Sequence, residues 1–584
     1  MKIPMFKEIA RFEKQLVMLF FIALWSYLIV RAANVFFIHD EIVTKWVYMV
    51  DWNFIPGTGY VDANNHFLSS FLGGLFMRLF NSDSLLVVRL GSVLAFPLYF
   101  WSVFGLRKFF SNKVNFYALL IGLSCTALIV EYFGLARGYG ISFAFLLAGM
   151  QQMLSYINGA GSRSLTFSVL AWLLAICANL TLIPFAASAL IIMFVFALKG
   201  KSKGWIILPL LGFIPLAYFI NYSFQLQGLG KLYYGGEVGF IESTIHSLTP
   251  HIWNVQHLLL DVLLIIISLF IGFVFVRNYW KNKRLFAPTT LFSLFFLLAI
   301  GNIFGQQWLL GINYPEDRTA LYLVIFFLGA IFFTIDAITK RSGFSIGYMI
   351  LTIGLFGFNF NITHSILHQG EQLDPNNVSL IPNEVNSTPP STGGRWAMEN
   401  EMNRMLKLPM RMFQLTDKTS DTLVDYMVYT LARRPDLDRY YHPIYTDVIS
   451  GQTLFERNNF LERTEISRID HELFGNGEFF DLKTSGYSSP QLIRISGQLN
   501  EIDDESDIYF VFSSKDTLSG IDYNYEAISI VHNGVIRKDN SIGFDFSYAL
   551  PHGMGANQFT VYLWNRKEAK LSGKIKTQVY RLGD

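Results

Sequence analysis

About eleven strongly apolar runs occupy residues 16 to 361, and beyond them none follows. They lie at 16–38, 85–107, 114–133, 138–157, 165–180, 183–198, 205–221, 256–276, 286–304, 319–335 and 343–361, and the pair around Asn179–Pro184 also reads as one broken helix. A bilayer core of about 30 Å takes roughly twenty helical residues, because hydrocarbon offers no water to satisfy an open backbone. The runs therefore predict a polytopic α-helical membrane domain. Charged residues make up only 15% of the chain, against about 25% in soluble domains.

The basic residues orient this domain. Lys2, Lys7, Arg11 and Lys14 precede the first run, with no small-residue cleavage site, which reads as an uncleaved signal-anchor. Arg107, Lys108 and Lys113, then Arg163, then Lys199, Lys201 and Lys203, then the stretch 277–284 (RNYWKNKR), then Lys340 and Arg341, all fall on one side when the N-terminus is cytoplasmic. Basic loops stay inside, so the loops 39–84, 134–138, 222–255 and 305–318 and everything after 361 face out. We expect a bacterial inner membrane protein with a periplasmic C-terminal part. The net charge of +2 gives no reason to invoke nucleic acid. Cys125 and Cys177 sit in apolar runs and read as small core residues.

Residues 362–584 are polar and turn-rich. The stretch 371–395 reads as a Pro/Gly/Asn/Ser linker within 362–395, and 396–489 as a mixed α/β region with short helices near 397–407 and 419–433. From 490 to 584, alternating segments such as IYFVFSS and NQFTVYLW predict a β-sandwich, with a hairpin turn at His532-Asn533-Gly534. Its aromatics (Tyr509, Phe510, Tyr523, Tyr525, Phe546, Tyr548, Trp564) read mostly as core.

A charge within hydrocarbon costs several kcal/mol, so each needs a partner or a task. Arg31, Arg89, Glu131, Arg137, Asp261 and Arg318 all map to outer span ends, and only Asp336 maps to the inner edge. Taken singly, Arg31, Arg89 and Asp261 are explained by side chains reaching to the interface. Three clusters ask for more. The first is His39-Asp40-Glu41, directly after the first span, with Asp62-Ala63-Asn64-Asn65-His66, which opens an interfacial amphipathic segment. The second is Arg137-Gly138-Tyr139-Gly140, whose glycines look like backbone punctuation. The third is Tyr314-Pro315-Glu316-Asp317-Arg318-Thr319. All three face outward, which favours one shared polar site.

In these motifs the chain resembles the GT-C superfamily of polytopic glycosyltransferases, particularly bacterial relatives of the protein O-mannosyltransferases and the lipid A aminoarabinose transferases. The resemblance covers residues 1 to about 361 and rests on Asp40-Glu41, Asn65-His66-Phe67-Leu68, Arg137-Gly138-Tyr139 and Asp317-Arg318, in that order. Phe67 stands where many relatives carry Pro. The resemblance implies a polyprenyl-phosphate sugar donor and a lipid, glycan or protein acceptor.

Such a donor already carries an activated anomeric carbon, so the enzyme needs a base for the acceptor and cations for the leaving phosphate. Asp40, with Glu41, is the candidate base. Arg137 and Arg318 are suited to bidentate phosphate binding. Asn65, His66, Tyr139, Glu316 and Asp317 complete the donor set, His66 as an orienting hydrogen-bond partner. Glu41, Glu316 and Asp317 can also join Asp40 around a divalent cation, so the metal question stays open. The segment 228–239 (GLGKLYYGGEVG) lacks a GxGxxG fingerprint, against nucleotide-sugar use. The loop 222–255 reads equally as a flexible lid or an ordinary long loop. The rival reading is a lipid or polyprenyl-glycan flippase, which predicts inverted repeats and polar residues through the full bilayer depth. Neither is visible here.

Overall fold

The computed structural model describes residues 4–583 except 51, 58–60, 200–202, 283–284, 367, 369–371, 373–374, 383–397, 399–400, 403–404, 407–409, 412–422, 430–437, 501, 503–506, 531–536, 539–540 and 551–556. The chain divides into two compact units. The first comprises Met1–Val35 and Trp52–Leu367; the second comprises Phe36–Asp51 and His368–Asp584.

The first unit is helical: α1 (Pro4–Asn34), then, past the intervening α2 (His39–Thr44) of the second unit, α3 (Phe67–Phe80), α4 (Leu85–Gly105), α5 (Lys113–Cys125), α6 (Ala127–Glu131), α7 (Gly138–Ile157), α8 (Ser162–Ala178), α9 (Ile183–Lys199), α10 (Ile207–Gly228), α11 (His246–Trp253), α12 (Leu258–Asn282), α13 (Pro288–Leu310), α14 (Leu321–Ile338) and α15 (Gly343–Phe358). Among the described residues, eight helices are long and apolar enough to cross a membrane. The three remaining expected spans are the shorter α5, α8 and α15. Span three is cut where Thr126 adopts an extended backbone (φ −66°, ψ 116°) and its hydroxyl donates back to the Gly122 carbonyl at 2.6 Å. Burial separates inner from outer helices. In α7, 72% of the most apolar stretch is buried; in α12 the share is 17%. Around α7 pack α4 and α8, while α14 packs on α5 and α13.

Buried partners, more than interfacial reach, account for three charges at span ends. Arg31 pairs with Glu131, both side chains being at most 2% exposed, and it also donates to the Asn361 carbonyl. Glu131 in turn accepts from Ser365 Oγ at 2.7 Å and the Ile366 amide at 3.1 Å. Arg89, fully buried, donates to the carbonyls of Ala32 (3.2 Å) and Val35, satisfying the open end of α1. Asp261 takes hydrogen bonds from Thr249 Oγ1 (2.5 Å) and His246 Nδ1 (2.9 Å). The expectation that Arg31, Arg89 and Asp261 extend to the interface is corrected by these partners. Asp336 caps the start of α5 through the Ser111 and Asn112 amides, at 2.8 and 2.9 Å.

The second unit is mostly β. Its strands are β1 (Met410–Arg411), β2 (Tyr426–Tyr429), β3 (Tyr441–Thr446), β4 (Thr453–Arg457), β5 (Glu462–Gly475), β6 (Phe479–Gly486), β7 (Gln491–Asn500), β8 (Ile508–Lys515), β9 (Asp522–Ser529), β10 (Arg537–Lys538), β11 (Ser541–Ala549), β12 (Gln558–Asn565) and β13 (Leu571–Gly583). One sheet runs β1-β11-β7-β13-β5 with β10 beside β11, a second β6-β12-β8-β9, and a small third β2-β4-β3. The first two share one apolar core, in which Phe512 of β8 meets Tyr548 of β11 with ring centroids 3.6 Å apart. The sandwich thus begins at Glu462, ahead of the expected 490. The edge strand β5 (ERTEISRIDHELFG) is largely solvated and shows no clean apolar alternation. Residues 426–429, expected in a helix, form β2. Phe510, Phe546 and Tyr548 are core as expected, whereas Tyr525 is 59% exposed. The turn at 532–534 and most of the linker 371–395 lie outside the described residues, as do most of 397–407, where Met398, Glu401, Met402 and Met405 are helical.

Candidate functional site

In the helical unit, the loops that carry the second and third motifs meet the loop around Asn65. The Arg137 guanidinium donates to Asn64 Oδ1. His66 is buried; its Nδ1 lies 2.9 Å from the Ala178 carbonyl, which fixes Nδ1–H as the donor. The His66 ring meets Tyr139 edge-on at 4.9 Å, and Tyr139 packs on Tyr132 at 4.7 Å. This crowding explains Gly138. A methyl group there would lie 1.9 Å from the Ala178 carbonyl oxygen and 2.7 Å from His66. The glycine of the Arg-Gly-Tyr motif opens α7 because two other elements pass too close for a side chain.

Asn65 is a structural hub. Its amide nitrogen donates to the Phe54 carbonyl at 3.0 Å and its oxygen accepts from Ser70 Oγ at 3.0 Å. Asp62 accepts from the Asn64 amide at 2.9 Å and faces Lys231 at 3.5 Å. Lys231 belongs to the glycine-rich segment 228–239, which is thereby drawn into the same region.

That segment is ordered by the third motif. Gly236 and Tyr314 exchange two backbone hydrogen bonds of 3.0 and 2.9 Å, Asn313 Nδ2 donates to the carbonyls of Tyr233 and Gly235, and Thr244 Oγ1 donates to the Pro315 carbonyl at 2.7 Å. A side chain at Gly236 would run into Ser243 Oγ at 2.0 Å and Glu316 at 2.2 Å. Of the two readings of the loop 222–255, neither a loose lid nor a plain loop describes it: residues 240–245 form a π-helix leading into α11, and the tip is pinned to 313–316.

Arg318 is half-buried, with its guanidinium 4.4 Å from the Tyr234 ring centre, a cation–π arrangement. The Tyr234 hydroxyl lies 3.3 Å from Asp317 Oδ2. Burial raises the Tyr234 phenol above its usual range, against the opposing pull of Arg318. Glu316 is raised as well, by burial first and then by Asp317 next to it, with Ser243 lowering it. Asp317 holds φ +44°, a conformation few L-residues adopt, and its amide is met by Ser247 Oγ at 3.0 Å. Arg137 and Arg318 are linked through one chain of contacts: Arg137 to Asn64, Asp62 to the Asn64 amide and to Lys231, and the segment from Lys231 to Tyr234 against Arg318. Tyr132 and Tyr234 were not singled out by sequence. Tyr132 closes the third apolar run and Tyr234 stands in the long loop 222–255, where an aromatic carries no signal of its own.

Asp40 and Glu41 belong to the second unit and differ sharply. Glu41 is fully buried and accepts from the Ile38 amide at 3.2 Å, capping α2. Asp40 keeps 18% of its side chain exposed, with His39 Nδ1 at 3.7 Å. Of the two, Asp40 is the carboxylate a solute can reach. Among the described residues, no three His, Cys, Asp or Glu side chains are gathered so as to hold a metal ion. The cation allowed by the sequence therefore has no fitting ligand set among them.

No protein-family model and no curated protein matches the chain. Solved structures similar to it include ArnT from Cupriavidus metallidurans in the apo state, with TM-score 0.46 and 12% identity over 76% of this chain and 98% of that one. The same protein bound to undecaprenyl phosphate gives TM-score 0.44 and 11% identity over 75% and 97%. The arabinosyltransferase EmbB from Mycobacterium smegmatis gives TM-score 0.39 and 8% identity, covering 97% of this chain and 64% of its own.

Proposed function

We propose that the protein is a membrane glycosyltransferase that moves a sugar from a polyprenyl-phosphate carrier to an acceptor at the outer face of a bacterial inner membrane. The observation that carries this reading is the placement, within an apolar helical unit, of two guanidiniums withdrawn from solvent, buried Arg137 against Asn64 and half-buried Arg318 over the Tyr234 ring. Two guanidiniums in partly desolvated surroundings suit a phosphate diester.

In the proposed reaction, an acceptor hydroxyl attacks the anomeric carbon from the face opposite the phosphate. The bond between that carbon and the phosphate oxygen breaks, its electrons leave with the polyprenyl phosphate, and the anomeric centre inverts. Asp40 takes the hydroxyl proton as general base. Arg318 and Arg137 stabilise the charge developing on the phosphate. Glu41 holds the helix that bears Asp40. His66 and Asn65 fix the loop beside Arg137, and Glu316 and Asp317 set Arg318 and Tyr234 against the donor. A single reactive carboxylate separates this chemistry from glycoside hydrolysis, which uses two.

The test is transfer from a panel of short polyprenyl-phosphate sugars by purified protein in nanodiscs. Release of polyprenyl phosphate by wild type and not by Asp40→Asn is the expected result. Absence of release with every donor, accompanied by movement of the lipid between leaflets, overturns the transferase reading in favour of a flippase.

A further inference from the structure

The segment that carries Asp40 follows the first hydrophobic span in sequence, yet it belongs to the C-terminal unit. Two anchors bracket it. Ahead of Asp40, Ile38 forms an antiparallel bridge with Gln372, whose carbonyl accepts from Gln452 Nε2 just before β4, the central strand of the three-stranded sheet. Behind it, the Lys45 ammonium lies 3.3 and 3.4 Å from the two oxygens of Glu401, and Trp46 Nε1 donates to the same carboxylate at 3.1 Å. Lys45 and Glu401 are 0% and 1% exposed, and the ammonium stands 5.1 Å from the Phe37 ring and 5.2 Å from the Trp46 ring. A charge pair so deeply buried is costly to assemble and strongly directional once made. The helix between the anchors is only six residues long, continued by the π-turn Lys45–Val50. It is too short to fix its own position.

We infer that Glu401, through Lys45 and Trp46, is a positioning residue for the Asp40 carboxylate, so that the C-terminal unit sets the geometry of proton removal. This rests on the reading of Asp40 as the base. A base misplaced by about 1 Å costs on the order of a hundredfold in rate, while donor binding by the helical unit need not change.

The experiment compares wild type, Asp40→Asn, Glu401→Gln, Trp46→Phe and the neutral pair Lys45→Met/Glu401→Gln, as full chains in nanodiscs with a short polyprenyl-phosphate sugar that wild type consumes. Hydrogen–deuterium exchange of residues 39–50 is read in parallel. The inference expects Glu401→Gln to lower kcat about 10- to 100-fold with donor KM within about twofold, and to speed exchange in 39–50 while the sandwich strands stay protected. Trp46→Phe, which keeps the ring and loses one hydrogen bond, is expected to lower kcat about fivefold. The neutral pair is expected to recover part of the loss, because no lone charge is left buried. Wild-type kcat in both Glu401→Gln and Trp46→Phe, with Asp40→Asn inactive, overturns the positioning role alone. Wild-type kcat in Asp40→Asn overturns the assignment of the base, and this inference with it.

Discussion

Two buried ion pairs, one in each unit, look alike and have different surroundings. Arg31–Glu131 joins residues 100 positions apart, and its spare hydrogen-bonding atoms go to Asn361, Ser365 and Ile366. It closes the helical unit where the last span ends. Lys45–Glu401 joins residues 356 positions apart and stands five residues after Asp40, the accessible carboxylate. The first pair is enclosed by backbone that needs capping; the second borders the carboxylate proposed as the base. A buried charge is therefore read by its neighbours, and its burial alone does not separate scaffold from site.

Experiments can break this contrast at several depths. Asp40→Asn is expected to lower turnover by about 10²- to 10⁴-fold with unchanged folding, the range for loss of a general base. Glu41→Gln, which can still accept the Ile38 amide, is expected to keep most of the activity; equal losses in the two variants would erase the distinction between reactive and capping acid. Glu131→Gln leaves the Arg31 guanidinium buried without its counter-charge, for an expected loss of about 3–5 kcal/mol, read by thermal unfolding in detergent. A small change there would mean that the Asn361 carbonyl and solvent suffice for Arg31.

Arg318→Ala is expected to weaken donor binding by about 1.5–3 kcal/mol, the worth of a hydrogen bond to a charged group, as measured by titration with polyprenyl phosphate. Unchanged affinity removes Arg318 from the donor site and leaves Arg137 to be tested alone. The smallest effect concerns the sandwich. Burial holds His471 of β5 below the usual imidazole range. The unfolded chain then binds the proton more readily than the folded one, so stability is lost as pH falls through about 6.5. His471→Gln is expected to flatten that decline slightly, in unfolding curves taken between pH 5 and 8.

Much of the helical unit was legible because hydrophobic length is a one-dimensional signal. All eleven expected spans correspond to helices, and the third fell short where the backbone breaks at Thr126. The β unit was legible only where one face of a strand is buried. The strand β12 alternates visibly, whereas β5, solvated along an edge, gives no period to read.

The candidate site divides in the same way. Sequence supplied Asn65, His66, Arg137, Tyr139, Glu316, Asp317 and Arg318 as polar residues beside apolar runs, since a charge near hydrocarbon is conspicuous by its cost. It could not supply Tyr132 or Tyr234, because a tyrosine in an apolar run or a long loop is ordinary until folding sets Tyr139 against the first and Arg318 against the second. Nor could it tell Asp40 from Glu41. That difference depends on whether the Ile38 amide turns toward a side chain, and the local backbone decides it.

The sequence by itself determined that the chain enters a membrane many times and continues into a β-rich part, since hydrophobic length and strand alternation are local properties. Only the tertiary structure decided that the acid pair belongs with the C-terminal unit. Hydrogen bonds and ion pairs between residues some 350 positions apart leave no periodicity in the chain, and they form only when folding brings Lys45 and Trp46 to Glu401.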